Sequence, residues 1–478
     1  MKKNDIILLV SVAAYSYLFY LQDAGINFLI FTIILITGMI LKNKFILLNK
    51  YWIAAAVGSL VSGICIALYG NGLAVFANVI SLSAAASFTL MSNNSLIFSL
   101  FHAAVSYISS PLTIIQHAEK RKAEKASSMP LHMKFFISFI PLTISGIFLA
   151  IYRNSNPVFE VFTNQFSLEF ISWNLIGFII FGFLLLYGFY HQKEIDWLAI
   201  MDHDSSDNLN REALFSGIQT GNPDYEKISG VILFTMLNII IFLLNATDIY
   251  ALFFTETLPA GLTLSDYIHQ GIYSLIISIV LAISIILYFF RGKINFTQDN
   301  GLIKALALAW IIQNGFLIFT CVIKNNLYVA EYCLTYKRIG VYVYLLLALI
   351  GLATTFIKII QAKSNWFLFR KNSWAFYIVL ILSCLVNWDL LIARYNISYS
   401  KNLDKNYIYY FLSDSSLPDA ISLEKSDTND NLILSEYYQN LKYRKEYFIS
   451  RYESKDWQSW NVEDGRIYRE LLMLNEEC

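Results

Sequence analysis

The chain has 478 residues, of which 56% are hydrophobic and 15% are charged, and its formal net charge is zero. Soluble domains carry roughly 25% charged residues, so this composition excludes an ordinary water-soluble protein. A chain without an excess of basic charge also lacks the electrostatic attraction on which nucleic-acid-binding proteins depend. We therefore expect membrane lipids as partners and no nucleic acid.

Apolar runs fill residues 5–393, and no run carries an ionisable side chain near its middle. A helix needs roughly 20 mostly apolar residues to cross the bilayer core. The runs predict an all-α fold, a polytopic transmembrane helical bundle of about 11 spans. The predicted spans are 5–21, 26–41, 51–69, 72–91, 134–152, 171–190, 229–250, 271–290, 301–323, 339–361 and 374–393.

The segment 95–116 has a different pattern, because its polar residues recur at steps of three and four and form one stripe on a helix. Such an amphipathic helix can lie in the membrane interface, or it can pack its polar stripe inside a bundle. The stripe consists of Ser95, Ser99, His102, Ser106, Ser109 and Thr113.

The distribution of lysine and arginine predicts the orientation in the membrane. If 95–116 lies on the inner surface, most basic residues fall in inner loops. We therefore predict an interfacial amphipathic helix at 95–116, a cytoplasmic N-terminus and an extracytoplasmic C-terminus. The short outer loops then hold only Arg153, Lys324, Lys337 and Arg338.

The C-terminal tail, 394–478, is polar and dense in tyrosine, which is unlike a disordered segment. It predicts a small helical cap outside the membrane, and a protein partner at this cap is left open. The predicted domains are a four-span bundle at 1–94, the interfacial helix and basic inner loop at 95–133, a two-span hairpin with an inner connector at 134–228, a five-span core at 229–393 and the cap at 394–478.

The cysteines form no metal-binding pattern. Cys65, Cys321 and Cys384 lie in apolar runs and are predicted to be small core residues. A disulfide between Cys333 and Cys478 is an open alternative, provided that both face an oxidising compartment.

Three polar clusters flank predicted span ends on the outer side, at 251–270, 324–338 and 387–396. Together they could line one pocket for a phosphate, a lipid headgroup or a peptide. Alternatively, the charged side chains only pair with each other and anchor helix ends. The candidate ligand-binding residues are Glu256, Asp266, His269, Glu331, Arg338, Asp389 and Arg394.

The deepest polar residues of the predicted spans are neutral, whereas ion-coupled carriers usually place charged residues there. This pattern disfavours a transporter, although amides can hydrogen-bond between helices. No P-loop, GxSxG or HExxH motif is present, so we assign no catalytic residue, metal or cofactor. The neutral polar residues are Asn78, Asn174, Asn238, Asn245, Gln313 and Asn314.

Several motifs in the second half of the chain, 229–478, together resemble those of a known family. They are Leu258-Pro259-Ala260-Gly261-Leu262-Thr263, Tyr267, His269-Gln270-Gly271, Tyr328, Glu331-Tyr332-Cys333-Leu334-Thr335, Arg338, the run from Asn387 to Asn396, Leu417-Pro418-Asp419-Ala420 and Asp456-Trp457-Gln458-Ser459-Trp460-Asn461. On these residues, the second half resembles a bacterial multi-spanning membrane family catalogued as domain of unknown function 4173, related to 4153. That resemblance implies a bacterial inner-membrane architecture and no established activity. Relatives often have glycine where Cys333 stands and proline where Trp388 stands, so those two turns are expected to differ.

The sequence thus predicts an integral membrane protein that acts as a scaffold or sensor-like binder with an outward-facing polar pocket. One alternative is a membrane enzyme that acts on a lipid or lipid-linked substrate, with His269 or Asp266 as the base. Another alternative is a transporter or channel lined by the neutral amide residues.

Overall fold

The computed structural model describes part of the chain. It covers residues 3–92, 94–124, 141, 144–149, 151–153, 155–156, 159, 172–193, 195, 201–202, 205–212, 223–254, 264–427 and 436–476. Within these ranges the description is limited to the backbone at 118–124, 223, 252–253, 264–275, 427 and 475–476.

The described residues have the predicted all-α fold and contain no strand beyond one isolated bridge between Asn208 and Lys363. The helices are α1 (Lys3–Phe19), α2 (Ile26–Lys42), α3 (Lys50–Tyr69), α4 (Gly72–Phe88), α5 (Leu96–Ile108), α6 (Ser110–Glu124), α7 (Trp173–Tyr190), α8 (Pro223–Phe253), α9 (Leu264–Phe289), α10 (Gly301–Tyr332), α11 (Tyr336–Ile360), α12 (Asn365–Cys384), α13 (Trp388–Tyr399), α14 (Leu417–Asp427), α15 (Glu436–Glu453) and α16 (Val462–Glu476).

Six of these helices are long and apolar enough to cross a membrane, namely α3, α7, α8, α10, α11 and α12. A seventh crossing results if the bent pair of α5 and α6 is a single span. Helices α1, α2 and α4 are each 17 residues long, and the predicted span 134–152 lies largely outside the described residues. The expected number of 11 spans is therefore not confirmed.

The last predicted span, 374–393, is wrong in its position. Helix α12 begins at Asn365, after Ser364, whose hydroxyl caps it, and the chain breaks before Asn387 caps α13. Hydropathy shifted the prediction downstream because Arg370 lies in the first half of α12. In the folded chain, that guanidinium forms an ion pair with Asp207 at 2.5 Å.

The chain divides into two compact units. Unit 1 comprises Met1–Asp202 together with Lys455–Glu463, and unit 2 comprises His203–Ser454 together with Asp464–Cys478.

In unit 1, one buried amide joins three helices. Asn78 of α4 is 1% exposed. Its Nδ2 donates to the carbonyl of Ser59 at 2.8 Å, to the hydroxyl of Thr32 at 3.0 Å and to the hydroxyl of Ser62 at 3.2 Å. Hydrogen bonds of this kind hold helices together where hydrophobic contacts alone do not select a partner.

The turn between α1 and α2 packs against the C-terminal segment 455–463, which also belongs to unit 1. The backbone N–H of Ile26 donates to the carbonyl of Trp460 at 2.9 Å. A Cβ at Gly25 would lie 2.5 Å from the backbone of Ser459 and of Trp460, so only glycine allows this close approach.

The polar stripe of 95–116 packs against protein inside unit 1, which is the alternative to the interfacial helix that we predicted. His102 is fully buried. Its Nδ1 lies 2.9 Å from the Ser87 hydroxyl and its Nε2 lies 2.8 Å from the carbonyl of Lys193. The opposite face of α5 is apolar and exposed at Ile97 and Phe101. The stripe therefore contacts protein, and the apolar face is left for lipid.

Unit 2 has an apolar core among α8, α9, α10 and α11, centred on residues such as Phe234, Ile286 and Leu317. Lys358 of α11 is also fully buried, and its ammonium donates to the carbonyl of Phe290 at 2.7 Å. A cation at this position stabilises the carbonyl end of α9.

The tail is a helical cap, as predicted. Its core includes Ile408, Leu417, Leu441 and Ile467, all nearly inaccessible, and it continues into Leu334 beside the end of α10. The cap therefore shares one core with the helix ends of unit 2.

The hydrogen bonds of Asn78 lead to a prediction for the stability of unit 1. We expect Asn78→Ala to lower the free energy of unfolding by about 1–2 kcal/mol, because three buried partners lose their bond. Thermal unfolding in detergent measures the effect, with Asn4→Ala at an exposed position of α1 as the control. Equal melting temperatures for the two variants would contradict this role.

Candidate functional site

The structure describes four of the seven predicted site residues in full. Glu256 lies outside the described residues, and Asp266 and His269 fall in the first turns of α9, where only the backbone is described. The four described residues are Glu331 and Arg338, on either side of the loop between α10 and α11, and Asp389 and Arg394, in α13.

Arg338 closes the carboxyl end of α10. Its guanidinium donates to the carbonyls of Tyr332 and Cys333. The same group lies 4.2 Å from the ring centroid of Tyr328, which adds a cation–π contact. A helix end leaves carbonyls without intrahelical partners, so this arginine satisfies groups that would otherwise face the cap unpaired.

The loop is tied to α13 through one buried amide. Asn396 accepts a hydrogen bond from the backbone N–H of Leu334 at 2.6 Å and donates to the carbonyl of the same residue at 2.9 Å. Both bonds are buried, so the side chain of Asn396 replaces a backbone partner for Leu334. These two hydrogen bonds fix the first helix of the cap against the loop.

The other predicted site residues form single contacts around this loop. Glu331 accepts from the amide of Asn402 at 3.2 Å, and Asp389 bonds to the Tyr336 hydroxyl. Arg394 forms an ion pair with Asp419 at 3.2 Å. Within the part of the chain described, each of the four charged residues bonds to another partner rather than to one of the other three.

These contacts form a joint between helix ends and the cap. We call this set the cap joint, and it comprises Glu331, Leu334, Arg338, Asp389, Arg394, Asn396 and Asn402. These contacts anchor helix ends, as the alternative interpretation expected. The charged side chains do so by bonding to other groups and not, as expected, to one another. A ligand pocket that includes Glu256, Asp266 and His269 stays a prediction.

The backbone at Cys333 has a conformation that favours glycine, with φ 72° and ψ 162°. Its thiol is buried and donates to the carbonyl of Asn402 at 3.0 Å. A non-glycine residue in this region stores roughly 1–3 kcal/mol of strain. The turn therefore has a glycine-type backbone even though the side chain is cysteine.

The four described cysteines, Cys65, Cys321, Cys333 and Cys384, are all buried, and Cys478 lies outside the described residues. The core role predicted for Cys65, Cys321 and Cys384 is confirmed by exposures of 0–1%.

The main polar feature that the sequence pattern did not reveal is a buried ion pair between α8 and α10. The ammonium of Lys324 lies 2.7 Å from Asp248 Oδ1, and the two side chains are 5% and 9% exposed. The hydroxyl of Thr320 donates to the other carboxylate oxygen at 3.3 Å. The assignment of Lys324 to an outer loop is wrong, because α10 continues to Tyr332.

Hydropathy concealed this pair because both residues lie at the edges of the predicted spans. Asp248 is close to the end of 229–250, and Lys324 directly follows 301–323. The helical spacing of polar residues on α8 could have indicated that Asp248 faces a neighbouring helix. Asn238, Ile241, Asn245 and Asp248 recur at steps of three and four, which places them on one face.

A second polar feature lies in the cap, where a cavity of about 210 Å³ opens between α14, α15 and the end of α16. Three lysines and one glutamate line it beside apolar side chains, so its charge favours an anion. The charged and aromatic lining residues are Lys425, Lys442, Lys445, Glu446 and Tyr438.

No group of three or more histidine, cysteine, aspartate or glutamate side chains that could hold a metal ion occurs among the described residues.

Comparison with known protein families gives a match. The family model described as Domain of unknown function (DUF4153) matches residues 56–423, which is more than half of the chain. No curated protein matches the chain, and no solved structure matches it.

The glycine-type backbone at position 333 predicts an order of stability among variants. We expect Cys333→Gly to be more stable than Cys333→Ala by about 1 kcal/mol, because both lose the thiol and only glycine relieves the strain. Thermal unfolding of the two purified variants measures the difference. An alanine variant as stable as the glycine variant would show that the turn is not strained.

Proposed function

The chain belongs to the family described as Domain of unknown function (DUF4153), and from this premise we propose that it is a membrane-anchored scaffold or sensor-like protein. In this proposal the cap is the binding part, and the cap joint transmits the state of the cap to α10 and α11. The closer relation of the second half to the 4173 family remains part of the proposal.

The observation that carries the proposal is the pair of hydrogen bonds between Asn396 and Leu334. Leu334 lies in the short loop between two long apolar helices, and Asn396 lies in the first helix of the cap. A change in the cap that moves α13 must therefore stretch this loop or break two buried hydrogen bonds. Such a coupling is what a sensor or scaffold needs.

The cap cavity supplies the binding chemistry in this proposal. Three lysines against one glutamate favour an anionic ligand, such as a phosphate-bearing headgroup or an acidic segment of a partner. The predicted residues Glu331, Arg338, Asp389 and Arg394 would then act mainly by holding the cap on the helix ends.

We also propose the bacterial plasma membrane as the location, with the N-terminus cytoplasmic and the cap extracytoplasmic. The support is a set of contacts within unit 1. The segment 455–463 contacts the turn between α1 and α2. It also contacts the turn between α3 and α4, where a Cβ added at Gly70 would lie 2.9 Å from the side chain of Asn461. The predicted topology puts both turns on the outer side, which is the side expected for the cap.

A transporter or channel is the second candidate, and the buried pair of Asp248 and Lys324 favours it. Charged residues inside a membrane are costly and usually mark ion or substrate pathways. The sequence pattern had counted against this candidate because no such pair was evident.

The proposed orientation can be tested with the native cysteines. We expect a membrane-impermeant maleimide to label Cys478 in intact spheroplasts, because the C-terminus is proposed to be extracytoplasmic. The cysteines at 65, 321, 333 and 384 are buried and should stay unlabelled in the folded protein. If the label is lost in the variant Cys478→Ser, Cys478 is the labelled residue. If Cys478 is labelled only after the spheroplasts are lysed, the proposed orientation is overturned.

The anion-binding role of the cap can be tested with charge reversal. We expect purified full-length protein to bind pyrophosphate or anionic phosphatidylglycerol, and Lys442→Glu/Lys445→Glu to weaken binding at least about tenfold. Isothermal titration calorimetry and vesicle flotation measure the two ligands separately.

The control variant Lys401→Glu/Arg469→Glu changes two exposed basic residues outside the cavity by the same net charge. Equal loss of binding in both variants would show that only the overall charge matters. No binding by the wild-type protein would remove the cavity from the proposal.

A further inference from the structure

The turn between α1 and α2 and the segment 455–463 together present exposed aromatic and apolar side chains in unit 1. The ring centroid of Tyr17, near the end of α1, lies 6.2 Å from the ring centroid of Trp457. Leu21 in the turn is 85% exposed, and Trp457 is 52% exposed. Clusters of exposed apolar side chains mark interaction surfaces. We call this surface the aromatic patch, and it comprises Tyr17, Leu21, Trp457, Trp460 and Val462.

Polar contacts hold the two parts of the aromatic patch together. The amide of Gln22 donates to Asp456 Oδ2 at 2.9 Å and accepts from the hydroxyl of Ser459 at 2.7 Å. The backbone N–H of Asp23 donates to the same hydroxyl at 2.8 Å. Lys455 adds an ion pair with Asp23 at 3.5 Å. The surface is therefore a built part of the fold, with charged groups directly beside its exposed rings.

The backbone of Leu21 is strained, because its φ of 57° lies in the left-handed region that residues other than glycine rarely adopt. Residues persist in such conformations where the surrounding structure or a function requires them. In water, this position would combine backbone strain with an unburied leucine side chain. An apolar environment would bury that side chain and offset the strain.

The aromatic patch lies at the end of a helix that is long enough to cross the membrane. Helix α3 has 20 residues, and a helix of that length is about 30 Å long, which matches the hydrocarbon core of a bilayer. Gly70 follows its last residue, and a Cβ there would lie 2.9 Å from the side chain of Asn461 and 3.3 Å from the carbonyl oxygen of Ala24. Both parts of the patch are therefore next to the point where α3 leaves the apolar layer.

An apolar stripe on α1 leads into the aromatic patch. Its residues are exposed and recur at steps of four, three and four, so they share one face of the helix. An exposed apolar face of a membrane-embedded helix lies against the acyl chains of the lipid. The patch continues this lipid-facing surface. The stripe consists of Ile6, Val10, Ala13 and Tyr17.

We propose that the aromatic patch binds the headgroup region of the bilayer and anchors the segment 455–463 to the membrane surface. Tryptophan and tyrosine have an apolar ring and a polar N–H or O–H group, and they are favoured at this level of the membrane. The charges of Lys455, Asp23 and Asp456 then reach the headgroups and water. The anchor is separate from the cap joint and does not rest on the proposed function of the cap.

The charged groups beside the rings have no basic excess, since one lysine stands against two aspartates. The patch therefore does not depend on anionic lipid, unlike a polybasic membrane-binding segment. A bilayer of zwitterionic phosphatidylcholine is a sufficient probe of the proposed contact.

The test uses full-length protein in phosphatidylcholine nanodiscs, in which both membrane surfaces are open to water. A cysteine is introduced by Leu21→Cys or by Trp457→Cys in the Cys478→Ser background and labelled with the fluorophore NBD. The native cysteines at 65, 321, 333 and 384 are buried and stay unlabelled. We expect a lipid with a nitroxide at position 5 of its acyl chain to quench both labels at least about twofold more strongly than aqueous iodide does.

The control is Tyr443→Cys in the same background. Tyr443 is 69% exposed on α15, and the same side of that helix also carries the exposed polar residues Gln439 and Glu446. We expect iodide to quench this label more strongly than the nitroxide lipid does. Because Trp457→Cys removes one of the rings, Leu21→Cys provides a second measurement that leaves every ring of the patch in place.

Two results would overturn the proposal. If iodide quenches the labels at positions 21 and 457 as strongly as the label at 443, the aromatic patch lies in water, and a protein partner becomes the better occupant. If a nitroxide at position 12 of the acyl chain quenches them more strongly than a nitroxide at position 5, the labels lie within the hydrocarbon core and not among the headgroups.

Discussion

The ion pair between Asp248 and Lys324 is the contact on which the arrangement of α8 and α10 most depends. The bilayer offers no water to hydrogen-bond a polar group, so each group that enters the apolar layer needs a partner within the protein. Neither charge could remain buried without the other, because an isolated buried charge costs several kcal/mol. The pair therefore fixes the register of two parallel helices. The amides of Asn238 and Asn245 on α8 extend the same register, because they donate to the carbonyls of Leu306 and Gln313 on α10.

The same constraint shapes unit 1 through neutral groups. Asn78 takes its partners from α2 and α3, and His102 takes its partners from α4 and the chain after α7. In both places the polar side of a helix faces protein and the apolar side faces outward. The amphipathic segment at 95–116 is therefore oriented opposite to a helix of a soluble protein. Its polar stripe is a packing surface, which is why its histidine is fully buried.

The sequence alone predicts the helices and the helical cap well, because apolar runs and clustered aromatic residues are local signals. It does not reveal which side chains become partners. Arg338 bonds to backbone carbonyls rather than to Glu331 or Asp389, and carbonyl partners leave no trace in side-chain patterns. Asp248 was missed because it lies close to the end of its predicted span. Lys324 was missed because hydropathy ends a span at a charge, whereas the helix continues and buries the charge against its neighbour. The displaced span at α12 has the same cause.

The central claim is that the buried pair holds α8 and α10 together, and a double-mutant cycle on Asp248 and Lys324 tests it most directly. Asp248→Asn and Lys324→Met should each lower the free energy of unfolding by about 3 kcal/mol or more, and the double variant should be more stable than either single variant. The exposed pair of Arg394 and Asp419 should show a coupling below about 1 kcal/mol in the same assay. Additive effects at Asp248 and Lys324 would contradict the account, because they would mean that the two charges do not stabilise each other.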